Sequence, residues 1–438
     1  MRSARSARQA RPQSEAIDGV APFFCYPGTA RFSTDFGYRD YLQAVAGLRT
    51  RGSRNALALS LYLPAPSSAD GCIADGESVD SEPQHGSGYL AYLLRECEMQ
   101  GQLFAGMNQI AQLTLGGSGV ATLAPAQLIA LMQHLRHWFQ FAPGSAGVYA
   151  IDVDVRGVSD TLLKVIQGVG FNQIRLRYPP IDAADTGPLE IRRLQHQTLA
   201  GMRRVKSVDC GAIQIDLQAG LARNDTSTLL RALAAMIDAQ IDRIVVPETP
   251  PADTDVALLQ ARCIWQLERA GYSSLGMGYF VHAGDPFAVA QQQGRLHVGL
   301  DGFSAHADHD VVACGVSAVS AIGSVYSQNV ATLDAYRDRI DDNALPIARG
   351  LVLRTDDALR RAVMQMLMSH LSLSVVAIEQ AWPINFATYF EPELLVLQSL
   401  ADQGLLCIER DWISINPRGR LAMRSICAVF DRTQTPPS

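Results

Sequence analysis

The chain has 438 residues, a length that favours two or three domains over one. Hydrophobic residues make up 48% and charged residues 18%, which excludes a disordered polar chain. A formal net charge of −6 offers no electrostatic attraction to nucleic acid or to an anionic membrane surface, so neither is expected as a partner.

No apolar run approaches the ~20 residues needed to cross a bilayer, and none stands at the N-terminus, so neither a membrane span nor a secretory signal is expected. Arg2, Arg5, Arg8 and Arg11, with no acid among them, read as a disordered basic arm. The eight cysteines are scattered, with no CxxC or CxxxC spacing. Free, mostly buried thiols in a reducing cytoplasm are the expectation, and a monomer.

In chain order, residues 15–41 are rich in aromatics and read as a lead-in that docks on a core, followed by a helix over 38–49. From Asn55 short β-rich runs alternate with stretches of helical apolar spacing. The runs are 56–63, 110–115, 147–153, 172–177, 212–217 and 243–246; helical stretches include 88–102, 125–141, 159–168, 226–240 and 253–270. Six consecutive βα units predict an α/β fold with a parallel, helix-covered sheet, and favour a partial (β/α)6, TIM-like barrel over an open doubly wound sheet. Past Gly271 the rhythm stops: residues 276–302 read as irregular apart from a short helix near 286–293. Helices over 356–368, 375–380 and 391–402, then a hairpin flanking Glu409-Arg410-Asp411, predict a mainly helical, winged-helix-like C-terminal domain. The divisions drawn are 1–54 (arm and lead-in helix), 55–301 (barrel) and 302–438 (helical domain).

Ligands of such a barrel lie at the C-terminal ends of the strands. After the first strand comes a small-residue loop with one cysteine, Cys72. After the second comes Gly116-Gly117-Ser118-Gly119, either a ligand cradle or a tight turn; no Gly-Lys-Ser/Thr follows, so it is not a P-loop. Asp152 and Asp154 alternate on the third strand and point the same way, either inward toward a ligand or out as a solvated rim pair. His306, Asp308 and His309 are metal-type side chains at close spacing, more simply read as an exposed acidic loop. No Ser-His-Asp or Cys-His arrangement has local support.

Several ordered stretches resemble the oxygen-independent coproporphyrinogen III oxidase family, a branch of the radical S-adenosylmethionine (SAM) enzymes. They include Tyr26-Pro27, Phe32-Ser33 and Asp35-Phe36-Gly37; Leu59-Ser60-Leu61-Tyr62; Leu103-Phe104-Ala105-Gly106 and Gly116-Gly117; Gly315-Val316-Ser317-Ala318-Val319-Ser320; and Arg349-Gly350 with Asp356-Asp357, Arg360-Arg361 and Gly419-Arg420-Leu421. The likeness runs from about Tyr26 to Asp431. It implies a [4Fe–4S] cluster on three cysteines spaced CxxxCxxC after the first strand, with SAM on the fourth iron. In register, those positions are Ser68, Cys72 and Asp75, a degenerate set with one thiolate. The residual SAM-pocket positions the resemblance implies are Tyr62, Gly116, Gly117, Asp152 (for the family's Glu) and Asp216. The His two positions after Tyr62 becomes Pro64, and the Gln after the fourth strand becomes Pro179. The expectation is therefore a family scaffold without the cluster and without the ancestral reaction, a tetrapyrrole-binding or regulatory protein of haem metabolism. The alternative is an active SAM-dependent coproporphyrinogen III dehydrogenase that makes protoporphyrinogen IX.

Overall fold

The computed structural model of the protein describes residues 23–50, 56–64, 88–107, 109–142, 146–155, 158–177, 188–208, 210–217, 226–246, 254–306 and 309–432. Its strands, in chain order, begin with β1 (Leu57–Tyr62), β2 (Gln109–Gly116), the short β3 (Gln140–Phe141) beside β2, β4 (Val148–Asp154), β5 (Gln173–Arg177), β6 (Ala212–Asp216) and β7 (Arg243–Val245). β1, β2, β4, β5, β6 and β7 lie side by side, all parallel, each joined to the next through a helix: Tyr89–Leu103, Pro125–Trp138, Asp160–Gly168, Pro188–Lys206 and Thr226–Asp238. This is the expected partial (β/α)6 barrel, and among the described residues the sheet does not close on itself.

The sheet is extended at both ends. After the helix Thr254–Arg269, β8 (Tyr272–Gly276) and β9 (Tyr279–His282) form a hairpin antiparallel to β7. The sequence presents this stretch as irregular; the correction lies in its turn. Gly276, Met277 and Gly278 all have positive φ (92°, 55° and 77°). A Cβ on Gly278 would sit 1.9 Å from the Val246 carbonyl oxygen, so the glycines that interrupt the strand pattern are what make the hairpin fit. β10 (His297–Gly299) and β11 (Gly302–Ser304) form a separate hairpin. On the other side of the sheet, β12 (Asp310–Cys314) pairs in parallel with β1, followed by antiparallel β13 (Val319–Ile322), β14 (Val325–Asn329) and β15 (Ile347–Val352). Residues 310–352, on the C-terminal side of the division drawn at 302, are thus hydrogen bonded into the main sheet.

The helix Thr355–His370 opens a mainly helical unit with β16 (Ser372–Ser374), β17 (Leu406–Ile408) and β18 (Trp412–Ile415) as a small antiparallel wing. One large apolar core lies between the helices and the outward side chains of β1–β7. A second gathers Leu359, Val363, Leu367, Phe386, Phe390 and Phe430 and takes in Phe24 and Tyr26, so the aromatic lead-in is a docking segment. Among the described residues seven cysteines carry thiols outside any disulfide, and no helix is long and apolar enough to cross a membrane.

Candidate functional site in the barrel lumen

Side chains alternate along each parallel strand. Leu59, Leu61, Leu113, Leu115, Ile151, Val153, Ile174, Leu176, Ile213, Ile215 and Ile244 belong to the outer apolar core. The residues between them face inward and are polar: Ser60, Gln112, Thr114, Asp152, Asp154, Arg175, Arg177, Gln214, Asp216 and Arg243. Register stacks them into rows. Asp152, Arg175, Gln214 and Arg243 face one another across four adjacent strands, and Asp154, Arg177 and Asp216 form the next row toward the strand ends.

Charges pair within this lumen. Arg177 donates from Nη2 to Asp152 Oδ2 at 2.7 Å. Deeper, Arg243 donates from Nε to Asp285 Oδ2 at 2.8 Å, with both side chains almost wholly buried and the guanidinium 3.6 Å from the centre of the Phe287 ring. The β10–β11 hairpin reaches across: Asp301 Oδ1 accepts from Ser60 Oγ at 3.0 Å, Gln112 Nε2 donates to Ser304 Oγ, and Phe303 meets Tyr279 edge to face. Burial pushes the Asp301 carboxyl up, against the pull of Arg175. Burial also pushes the Tyr279 hydroxyl up, so it stays a neutral donor among Arg175, Asp216, Gln214 and Arg243.

The glycine-rich turn divides its roles. Gly117 has φ 106°, and a Cβ there would sit 1.9 Å from the Leu63 carbonyl oxygen; one on Gly119 would sit 2.2 Å from the Pro64 carbonyl oxygen. Gly119 N donates to that Leu63 oxygen at 3.1 Å, and Leu63 N donates to Gly116 O at 2.9 Å. These two glycines therefore admit the backbone leaving β1. Gly116 is the one that meets the lumen: a Cβ there would lie 3.3 Å from Asp152 Oδ2.

A buried network braces the end of β1 from behind. Tyr89 donates to Tyr62 O at 2.8 Å and accepts from Val316 N at 3.0 Å. Glu96 accepts from Gly315 N at 2.7 Å, Asn329 Nδ2 at 2.8 Å and the Tyr336 hydroxyl. Burial raises the Glu96 carboxyl from 4.5 to about 7, with the three donors opposing it. A carboxyl raised on folding holds a proton that the unfolded chain has released, so its ionisation weakens the fold. The contribution of Glu96 to stability is then fully present below pH 4.5 and is lost as pH rises through the window up to about 7. Chemical denaturation across that window is expected to show a loss on the order of 3 kcal/mol. The slope should be absent in Glu96→Gln, and an equal slope in both proteins would refute the assignment.

The sequence-derived positions Tyr62, Gly116, Gly117, Asp152 and Asp216 all stand at the C-terminal edge of the parallel strands. Ser68, Cys72 and Asp75 lie outside the described residues, as do Asp308 and Pro179. Asp152 turns inward and is ion-paired, not a solvated rim residue. His306 and His309 are half-buried, and among the described residues no group of three His, Cys, Asp or Glu side chains could hold a metal ion. Arg175, Arg177, Gln214 and Arg243 went unassigned as lumen residues although each strand's polar–apolar alternation marks them; Tyr279 and Asp301 arrive from outside the six units and carry no such signal.

Residues 353–422 match the family model for the HemN C-terminal domain. The chain is 31% identical over 427 residues to the oxygen-independent coproporphyrinogen III oxidase of Pseudomonas aeruginosa, covering 93% of this chain and 92% of that protein. It is 30% identical over 432 residues to the enzyme of that name from Escherichia coli, covering 93% and 91%. The solved structure of coproporphyrinogen III oxidase (HemN) from Escherichia coli, a radical SAM enzyme, superposes with a TM-score of 0.77 at 29% identity, over 93% of this chain and 96% of that one. A polar lumen under parallel strand ends, the helical C-terminal unit and this end-to-end similarity together make the chain a member of the oxygen-independent coproporphyrinogen III oxidase family of radical SAM proteins.

Proposed function

We propose that this chain keeps the family's barrel as a binding site but does not hold the [4Fe–4S] cluster, and acts by binding a tetrapyrrole in haem metabolism rather than by oxidising it. One observation carries the reading: between β1 and the helix Tyr89–Leu103, Cys72 is the only cysteine. Three iron atoms of such a cluster need three thiolates, and the other two positions hold Ser68 and Asp75. Hydroxyl and carboxylate oxygens are poor donors to this soft centre, so the donor set does not fit the group. Other cysteines do not make up the deficit. Cys97 and Cys314 are fully buried, and burial pushes the thiols of Cys25 and Cys263 up to about 12 and about 11, far from thiolates at neutral pH. The Arg177–Asp152 pair supports the same reading, because the carboxylate implied to meet SAM already has a cationic partner.

Anaerobic reconstitution with ferrous iron and sulfide, followed by iron analysis and visible absorption, tests it. The expected result is iron well below cluster stoichiometry and no cluster absorption. A full complement of iron and sulfide per chain would overturn the proposal and favour an active SAM-dependent oxidase.

A further inference from the structure

Away from the lumen, a cavity of about 330 Å³ opens where three segments of the chain meet. Arg31 reaches it from the aromatic lead-in, and Arg354, Asp356 and Asp357 from the start of the helix Thr355–His370. Arg432 reaches it from beyond the helix Met423–Ala428. The lining is charged throughout, three arginines against two aspartates, and shares no residue with the barrel interior.

The two carboxylates are engaged within the protein. Asp357, 3% exposed, accepts from Arg31 Nη1 at 3.1 Å and from the Arg354 backbone N at 3.3 Å. Asp356 accepts from Arg360 Nε at 3.1 Å, Arg432 Nη1 at 2.8 Å and the Tyr389 hydroxyl. Burial pushes the Asp356 carboxyl up, but Tyr389, Arg360 and Arg432 outweigh it and hold it below its ordinary value. The arginines keep most of their capacity. A guanidinium carries five N–H donors, yet Arg31 and Arg432 each commit only Nη1 to these carboxylates. The Arg354 side chain has no partner among the described residues. Arg31 and Arg432 are 32% and 60% exposed, so a ligand enters from solvent without moving the core.

A further donor lies beside them. The Tyr26 hydroxyl is buried without a hydrogen-bond partner of good geometry, near Asp357, Asp431 and the Arg432 backbone. Burial pushes it up, so it keeps its proton. Donors thus outnumber acceptors here, and the positive end of the helix Thr355–His370 adds to them. Size and shape select the ligand. The cavity stands at the small end of the range for organic ligands and is roomier than a lone ion needs. Arginines arriving from three segments suit a tetrahedral phosphate, which offers oxygens in several directions, better than a flat carboxylate with two.

We propose that Arg31, Arg354 and Arg432 form a phosphate-binding site between the lead-in and the C-terminal unit. The ligand class is a small phosphorylated molecule held by its phosphate, or inorganic phosphate itself. The inference does not depend on what the lumen binds or on the cluster.

Calorimetric and thermal-shift titrations of the full chain would use glycerol 3-phosphate, inorganic phosphate, glycerol and acetate. Glycerol 3-phosphate or phosphate should bind once per chain and raise the melting temperature, with glycerol and acetate weaker by about tenfold or more. Tighter binding of glycerol 3-phosphate identifies a phosphorylated molecule; equal or tighter binding of phosphate identifies the free ion. Arg354→Gln, which removes no contact within the protein, should weaken the phosphate by about tenfold and leave the ligand-free melting temperature unchanged. Arg432→Gln should weaken it by a similar factor. Arg262→Gln, an exposed arginine on the helix Thr254–Arg269, should bind like the wild type. No binding of either phosphate by the wild type, glycerol or acetate binding equal to phosphate, or wild-type-like binding by either Arg354→Gln or Arg432→Gln would each overturn the proposal. So would an equal loss in Arg262→Gln, which would mark a diffuse, adventitious attraction only.

Discussion

Arg360→Met should destabilise the C-terminal unit by about 3–5 kcal/mol. Arg360 is 6% exposed and ties three segments together. Its Nε donates to Asp356 Oδ1 at 3.1 Å within the helix Thr355–His370. Its Nη1 donates to Glu393 Oε1 at 2.7 Å in the helix Glu391–Asp402, and to the Phe430 carbonyl at 3.1 Å near the C-terminus. The guanidinium also lies 5.2 Å from the centre of the Phe390 ring. Glu393 is 14% exposed, and its Oε2 has no hydrogen-bond partner, so removing the arginine leaves a half-satisfied carboxylate with nothing to balance it. Urea unfolding followed through the C-terminal Trp382 and Trp412 reads the effect. Adding Glu393→Gln to Arg360→Met should recover part of the loss, because the uncompensated charge goes with it. If Arg360→Met alone unfolds at the wild-type urea midpoint, the network contributes nothing and the prediction is wrong.

Gly117→Ala is the second. At φ 106° an alanine is strained, and its Cβ would sit 1.9 Å from the Leu63 carbonyl oxygen and 2.7 Å from the Leu63 carbonyl carbon. Backbone, not a movable side chain, is in the way, so β1 and the glycine turn must separate. The combined strain and displaced packing should cost about 3–4 kcal/mol. Gly168→Ala is the control: nothing lies within 4 Å of its Cβ position, and it should change stability by less than about 1 kcal/mol. Thermal melts of the two variants side by side distinguish a local steric requirement from a general intolerance of added methyls. A Gly117→Ala protein as stable as the control would show that the chain leaving β1 can yield at this point. That chain runs from Leu63 and Pro64 toward Ser68, Cys72 and Asp75, so the same variant also tests how firmly the start of this loop is held.

Together, the lumen and the loop describe a scaffold whose outer face and inner face answer to different constraints. Outward leucines, isoleucines and valines pack on helices and keep the barrel. Inward positions carry acids and arginines that neutralise one another in part, and these set what the barrel can hold.

The alternation of short β-rich runs with amphipathic stretches is enough to place the six parallel strands of the βα units, because a helix-covered strand must bury every second side chain and each helix one face. The family is likewise legible, in short ordered motifs from about Tyr26 to Asp431. The β8–β9 hairpin was not, since its turn spends Gly276, Met277 and Gly278 on positive φ, and its place was decided by the Val246 carbonyl just past β7. Nor were β12–β15, which join the sheet only where β12 pairs with β1, a contact between residues some 250 positions apart. The glycine-rich turn is the clearest division. Sequence alone left Gly116-Gly117-Ser118-Gly119 between cradle and turn. The neighbouring backbone of Leu63 and Pro64 decided it for Gly117 and Gly119, and the Asp152 carboxylate decided it for Gly116. Local spacing determines which face a side chain takes; only the tertiary structure determines which partner waits there, and so which donors are left over.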